Sequence, residues 1–176
     1  MTPEEIVGRL NEHFPQAGLD NRVDKDHAVT VAPVDRLEEL FRELRDDSEF
    51  RFDLFMDITA VDWLERDPRF DVVYHLYSTV HNHRLRIKVM VSENKPVPSA
   101  SGVWVVADPM EREVWDMYGI KFSGHPNLTR LLLYEEFKGH PLRKDYPYDK
   151  RQPILEETWP SRDKQVRVDD RNIHRP

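Results

Sequence analysis

An α+β fold, an antiparallel sheet with helices packed on one face plus an extended C-terminal arm, is the architecture this sequence predicts. Three observations carry the prediction. Segments with helical period flank a block of strand-like runs; three of those runs follow one another with apolar residues at every second position; and both periods vanish from Arg143 onward. The chain accordingly divides into an α+β domain, 1–142, and an arm, 143–176, expected to dock on a partner.

Each element has its own signal. Thr2-Pro3-Glu4-Glu5 spells a capping box, with Thr2 as N-cap, proline at the first helical position and Glu5 reaching back. Ile6, Val7, Leu10 and Phe14 follow at helical spacing, which predicts a short amphipathic helix over 3–14. His27 to Ala32 reads as a strand, and Pro33 opens a second helix with Leu37, Leu40, Phe41 and Leu44 on one side. Phe52, Leu54, Met56, Ile58 and Ala60 then alternate with other residues. So do Phe70, Val72, Tyr74 and Leu76, and then Leu85, Ile87, Val89 and Val91. Arg84, Arg86 and Lys88 interleave the last run and give it a basic outer face. His81-Asn82-His83 suits a solvated hairpin tip, with Asn82 in the left-handed region. After Pro96, Pro98, Ser99 and Ser101, a third helix begins at Asp108-Pro109-Met110-Glu111, again a capping-box spelling, and stops at Gly119.

Composition excludes several classes of chemistry. With no cysteine the chain has no disulfide, no thiol nucleophile and none of the thiolate ligands iron–sulfur clusters use. A net charge of -7 opposes general nucleic-acid binding, which depends on neutralising phosphates. The six glycines form no phosphate-cradling loop. No apolar run approaches the roughly 18 residues of a membrane span. The acidic Met1–Glu5 lacks the plan of a signal peptide, so a soluble, cytoplasmic chain is expected, one still able to dock on a membrane-bound partner.

In the third helix, Met110, Val114, Met117 and Tyr118 form one apolar arc, with Arg112, Glu113 and Asp116 opposite. Arg112 and Asp116 are spaced for a surface ion pair. Glu111 falls inside the apolar arc, where an unpartnered carboxylate is costly. It is expected to be the capping-box residue; the competing reading is a buried ion pair holding the following loop. Glu111 and Glu113 point about 200° apart on a helix, which rejects a carboxylate dyad.

Gly-His-Pro occurs twice, at Gly124-His125-Pro126 and at Gly139-His140-Pro141. Neither histidine has the spacing of a metal site or an identifiable nucleophile beside it. The favoured reading is a pair of turns in which glycine supplies the backbone angle, histidine bonds across and proline fixes direction. The arm holds nine Lys/Arg and seven Asp/Glu, so self-repulsion is not what extends it. It is short of apolar groups, and Ile154 and Trp159 are the expected anchors in a partner groove.

The stretch "EREVWDMYGIKFSGHPNLTRLLL" followed by "GHPLRKDYP" resembles the C subunit, or 30 kDa subunit family, of proton-translocating NADH:quinone oxidoreductase, respiratory complex I. The matching positions are Glu111-Arg112-Glu113, Asp116, Gly119, Gly124-His125-Pro126, Arg130 and Gly139-His140-Pro141-Leu142-Arg143-Lys144-Asp145-Tyr146-Pro147. Looser likeness extends upstream through "DITAVDW", "VVYHLYS" and "RLRIKV". Where the family carries an Asn-Trp-like pair before ERE, this chain has Ala107-Asp108-Pro109-Met110, with Asp108 expected to cap in its place.

The resemblance implies a peripheral-arm subunit with no catalytic group, metal or cofactor of its own. FMN, iron–sulfur clusters and quinone would belong to partner subunits. The positions above, with Trp159, would face the quinone-site (D-like) and iron–sulfur (B-like) partners, on the cytoplasmic side of a bacterial inner membrane. Two alternatives compete. One is the equivalent subunit of a membrane-bound hydrogenase or of a chloroplast or cyanobacterial NADH dehydrogenase complex. The other is a free-standing RNA-binding domain using the Arg84, Arg86 and Lys88 stripe, which lacks surface aromatics and the right net charge.

Overall fold

The structure, a computed structural model, describes residues 1–152. Helix α1 (Pro3–His13) is followed by strands β1 (Asp20–Asp24) and β2 (His27–Val31), helix α2 (Leu37–Asp46) and strands β3 (Leu54–Asp62), β4 (Phe70–Ser78) and β5 (His83–Val91). Then come a short strand β6 (Val97–Pro98), helix α3 (Ala107–Tyr118) and a short strand β7 (Phe122–Ser123). The main sheet has the order β1-β2-β5-β4-β3, and β6 and β7 pair in a small sheet of their own. Among the described residues no helix is long and apolar enough to cross a membrane.

The fold class matches the sequence expectation, with two differences in the sheet. A fifth strand, β1, forms its edge, and β2 pairs with β5 in parallel where an antiparallel sheet is expected. β1 escapes a periodicity reading because "DNRVD" is polar, as suits an edge that must not recruit another chain. Its two-residue turn to β2 uses Lys25 and Asp26, both at positive φ, without the glycine or asparagine that usually announces such a turn.

Local rules account for most of the rest. Thr2 Oγ1 accepts from the Glu5 N–H, and the Glu5 carboxylate accepts from the Thr2 N–H at 2.9 Å, so the first capping box is formed. Pro33 caps a single tight turn, Val34–Arg36, before α2 starts at Leu37. The α2 stripe Leu37, Leu40, Phe41 and Leu44 is buried as expected. It shares one core with Ile6 and Leu10 of α1, Ala107 and Val114 of α3, and the inward rows of the sheet.

β4 and β5 alternate as expected. β3 does not. A register shift between Phe55 and Asp57 turns Leu54 and Met56 outward and makes Phe55, Ile58, Ala60 and Asp62 the inward row. Asn82 adopts the expected left-handed angle, and His81 is exposed. His83, by contrast, is no solvated tip. It is buried as the first residue of β5, and its Nε2 lies 2.8 Å from the Phe50 carbonyl.

Candidate functional site

Helix α3 and the chain after it fold into one polar lattice, built around two buried carboxylates. Gly119 ends the helix at φ 80, the C-cap the sequence suggests. The capping box at its start is absent. Val106 occupies the cap position, which places Asp108 inside the first turn and leaves Glu111 pointing into the core.

Glu111 has no exposed surface. The Ala100 N–H donates to one carboxyl oxygen at 2.6 Å, and the Ser99 hydroxyl lies 2.5 Å from the other and 2.7 Å from the Ser101 hydroxyl. Among the described residues no arginine pairs with it, and the side chain that comes within ion-pair range is His125, 4.0 Å away. The capping reading of Glu111 is therefore corrected, and in place of a close ion pair with the following loop it has hydrogen bonds to the loop before the helix, with His125 at the edge of ion-pair range. Burial drives its pKa up to about 7, against the two hydrogen bonds that favour the charge, with Asp108 adding to the rise. Tyr74 is pushed up by its own burial first and by the Glu111 charge second.

Asp116, one turn and a half later, is also buried, and here the expected surface pair with Arg112 gives way to something else. The Arg130 guanidinium donates to it at 2.6 Å, and the successive N–H groups of Leu131, Leu132 and Leu133 converge on its other oxygen at 3.1, 3.0 and 2.9 Å. Burial pushes its pKa up, but three backbone donors and Arg130 outweigh that, and it sits below the ordinary carboxylate value. Arg130 also donates to the Phe137 carbonyl at 2.6 Å and lies over the Trp115 and Phe137 rings. Arg112 donates to the Thr129 and Arg130 carbonyls. Glu113 is exposed, so no dyad forms with Glu111.

The two Gly-His-Pro turns clamp opposite ends of α3. Gly124 and Gly139 take φ of 79 and 103, beyond the reach of most side chains. His125 Nδ1 accepts from the Asn127 N–H at 3.1 Å, and Nε2 lies 3.1 Å from the Asp108 carbonyl, so it donates there. At the other end, His140 Nδ1 lies 2.9 Å from the Asp116 carbonyl, and the Leu142 N–H donates to the Met117 carbonyl at 3.0 Å. These bonds satisfy carbonyls of the last turn. The His140 ring lies so close to Gly119 that an added Cβ would come within 2.7 Å of it. Gly139 faces the Tyr146 ring in the same way.

The segment from Arg143 continues onto the body. Arg143 pairs with Glu93 and Asp145, Asp145 reaches Arg69 at 3.0 Å, and the Lys144 N–H donates to Asp62 at 2.9 Å. Beneath them Arg69 grips buried Asp62 with two bonds, at 2.8 and 2.7 Å, which holds the Asp62 pKa down at about 2. Arg143 and Arg69 hold Asp145 low as well.

The lattice thus gathers Glu111, Arg112, Asp116, Gly119, His125, Arg130, Gly139, His140, Arg143, Asp145 and Tyr146 into its frame. Pro126, Leu142, the Lys144 side chain and Pro147 face outward, and Pro141 is half-buried. Trp159 lies outside the described residues. Sequence reasoning misses Asp62, Arg69, Glu93 and Ser99. For Asp62 a signal exists, since a carboxylate continues the inward row after Ile58 and Ala60. Among its exposed residues the frame displays three leucines: Leu132 is 62% exposed, Leu142 52% and Leu131 39%. Among the described residues no cluster of three or more metal-ligating side chains forms.

The frame thus leaves Leu131, Leu132 and Leu142 exposed on backbone whose N–H groups are pinned from beneath. The chain belongs to the family described as the 30 kDa subunit of respiratory-chain NADH dehydrogenase, whose model matches residues 29–152. It is 53% identical over 143 residues to the NADH-quinone oxidoreductase C subunit of Rhizobium etli, covering 81% of this chain and 72% of that one. To the NADH-quinone oxidoreductase C subunit of Roseiflexus castenholzii it is 46% identical over 144 residues, covering 81% and 82%. With the corresponding chain of Caulobacter sp. strain K31 it shares 51% over 117 residues, 66% of this chain and 55% of that one. The match thus spans about half the length of that relative and of others like it. In three dimensions, a chain of the membrane-bound sulfane sulfur reductase, an archaeal respiratory membrane complex, superimposes with a TM-score of 0.68 at 22% identity. The superposition covers 89% of this chain and 98% of that one, and the likeness is one of fold.

Proposed function

We propose that this chain is a peripheral, cofactor-free subunit of a membrane-associated NADH:quinone oxidoreductase, contributing structure and assembly but no catalytic group. FMN, the iron–sulfur clusters and quinone belong to its partners. The displayed face of residues 126–147 seats on the quinone-site (D-like) and iron–sulfur (B-like) partners, on the cytoplasmic side of the inner membrane. Residues 143–152 lie on the chain's own body, which corrects an arm beginning at Arg143. The part of the arm that extends along the quinone-site partner is the one beyond residue 152, with Trp159 as an anchor. One observation carries the reading: Leu132 and Leu142 stand exposed on backbone pinned from beneath by Asp116 and Met117. Apolar side chains held in place without cover are the usual core of an interface.

The test is affinity purification from gently solubilised membranes, with the co-purifying chains identified. The wild-type chain should bring down quinone-site and iron–sulfur partners with an NADH-oxidising flavoprotein. Leu132→Glu with Leu142→Glu should lose them while the stability of the chain moves by less than about 0.5 kcal/mol, as surface changes do. Normal co-purification of that variant would remove the displayed leucines from the interface.

A further inference from the structure

The outer face of the main sheet holds a second cluster, outside residues 111–147, that this role leaves unused. Cross-strand register assembles it. Arg84 and Arg86 stand two positions apart on β5; Arg86 lies opposite His75 of β4, and His75 opposite Asp57 of β3. On the other flank Ala28 sits beside Leu85, so His27 of β2 falls beside Arg84. The β3 bulge turns Met56 outward next to Asp57. These residues line an open cavity of about 320 Å³.

The charge of this cavity is out of keeping with the molecule. The chain carries -7, and arginines elsewhere on it, such as Arg9, Arg22, Arg42, Arg66 and Arg130, sit on carboxylates. Arg84 and Arg86 form no hydrogen bond or ion pair with a described residue; Arg84 lies 5.2 Å over the Tyr77 ring. One acid, Asp57, stands against two arginines and two histidines. Burial first, and the Arg86 charge next, hold the His75 pKa down, so His75 favours its neutral form and the positive charge of the cavity is that of the two arginines.

We propose that this face binds an extended acidic segment of a partner protein, with carboxylates at alternate positions seated on Arg84 and Arg86. Alternate residues of a strand are separated by about 6.7 Å, and an extended peptide laid along β5 presents alternate side chains at the same interval. A lone phosphate would instead need guanidiniums converging on one point, whereas Arg84 is committed to the face of Tyr77. RNA is disfavoured by Asp57 and by the lack of a free aromatic platform, Tyr77 being covered. Met56 adds an adaptable apolar contact for the segment's intervening side chains.

The experiment uses the full chain and fluorescence anisotropy with a labelled peptide of alternating glutamate and serine. Inorganic phosphate and a single-stranded oligonucleotide serve as competitors. The peptide should bind, and binding should weaken at least tenfold in Arg84→Glu with Arg86→Glu, with the unfolding midpoint unchanged. A peptide with its glutamates adjacent should bind several-fold more weakly, and the His75 titration should move upward when the alternating peptide is bound. Should the double reversal unfold, Arg86→Gln decides the matter, with a threefold loss expected. No binding, equal binding by the variant, or displacement by phosphate or oligonucleotide at concentrations below the peptide's own would overturn the proposal. Each of these results leaves the leucine-based docking of residues 126–147 to be judged by its own test.

Discussion

Glu111 and Asp116 stand five positions apart on one helix, and neither has any exposed surface. Their environments then diverge. Asp116 gains a guanidinium and three backbone N–H groups, enough to keep it ionised below the ordinary range. Glu111 gains one hydroxyl and one N–H, and its pKa climbs to about 7. Neither side chain meets solvent, but Glu111 lies deeper in the protein, so heavier desolvation and fewer donors together raise its pKa, while Asp116 has donors enough to outweigh its burial. The two acids also do different work. Asp116 organises the loop that displays Leu132, whereas Glu111 ties α3 to the Ser99–Ser101 loop ahead of it.

The comparison breaks most easily at Asp116. Asp116→Ala strands Arg130 and three N–H groups in the interior, and a denaturant titration should show a loss of about 4 kcal/mol. A loss below about 1 kcal/mol would mean that the loop finds other acceptors.

The pH dependence sharpens the contrast. For Glu111 the folded pKa is raised, so its contribution is complete below the unfolded value of 4.5 and is lost as pH rises through about 7. That loss is on the order of 3 kcal/mol. Asp116 runs the other way: its contribution is present above 3.8 and disappears as pH falls through its depressed folded value. Glu111→Gln keeps the shape but cannot ionise. Unfolding curves collected between pH 5 and 8 should therefore fall for the wild type and lie flatter for the variant. Parallel curves would assign the slope to groups other than Glu111, and not to His75 or His83, whose lowered pKa values make stability rise with pH.

The smallest expected effect is at the joint between the two halves of the lattice. Gly119→Ala must hold φ near 80 and meet the His140 ring, which should cost about 2 kcal/mol. The loss should shrink in a His140→Ala background, because the ring no longer obstructs the added methyl. An undiminished loss would assign the whole cost to backbone angle.

The parts of this molecule that sequence rules anticipate are those whose causes are local. The Thr2–Glu5 box, the α2 stripe, the alternation of β4 and β5, and Gly119 as helix stop all rest on residues within a few positions of one another. Glu111 escapes those rules because its partners, Ser99 and Ala100, lie twelve and eleven positions away in an aperiodic loop. Asp116 escapes them for the same reason, with Arg130 fourteen positions on. Asp62 and Lys144, 82 positions apart, meet only because the sheet brings the end of β3 beneath the second Gly-His-Pro turn. Motif resemblance singles out residues 111–147, while the direction each side chain faces is a property of packing.

Carboxyl carbon NMR on the folded chain, with glutamate and aspartate labelled and the two signals assigned through Glu111→Gln and Asp116→Asn, tests the contrast between the acids most directly. Glu111 should titrate close to neutrality, while Asp116 should remain mostly ionised as pH falls to 3.8. Both signals moving together in the ordinary carboxylate range would contradict it.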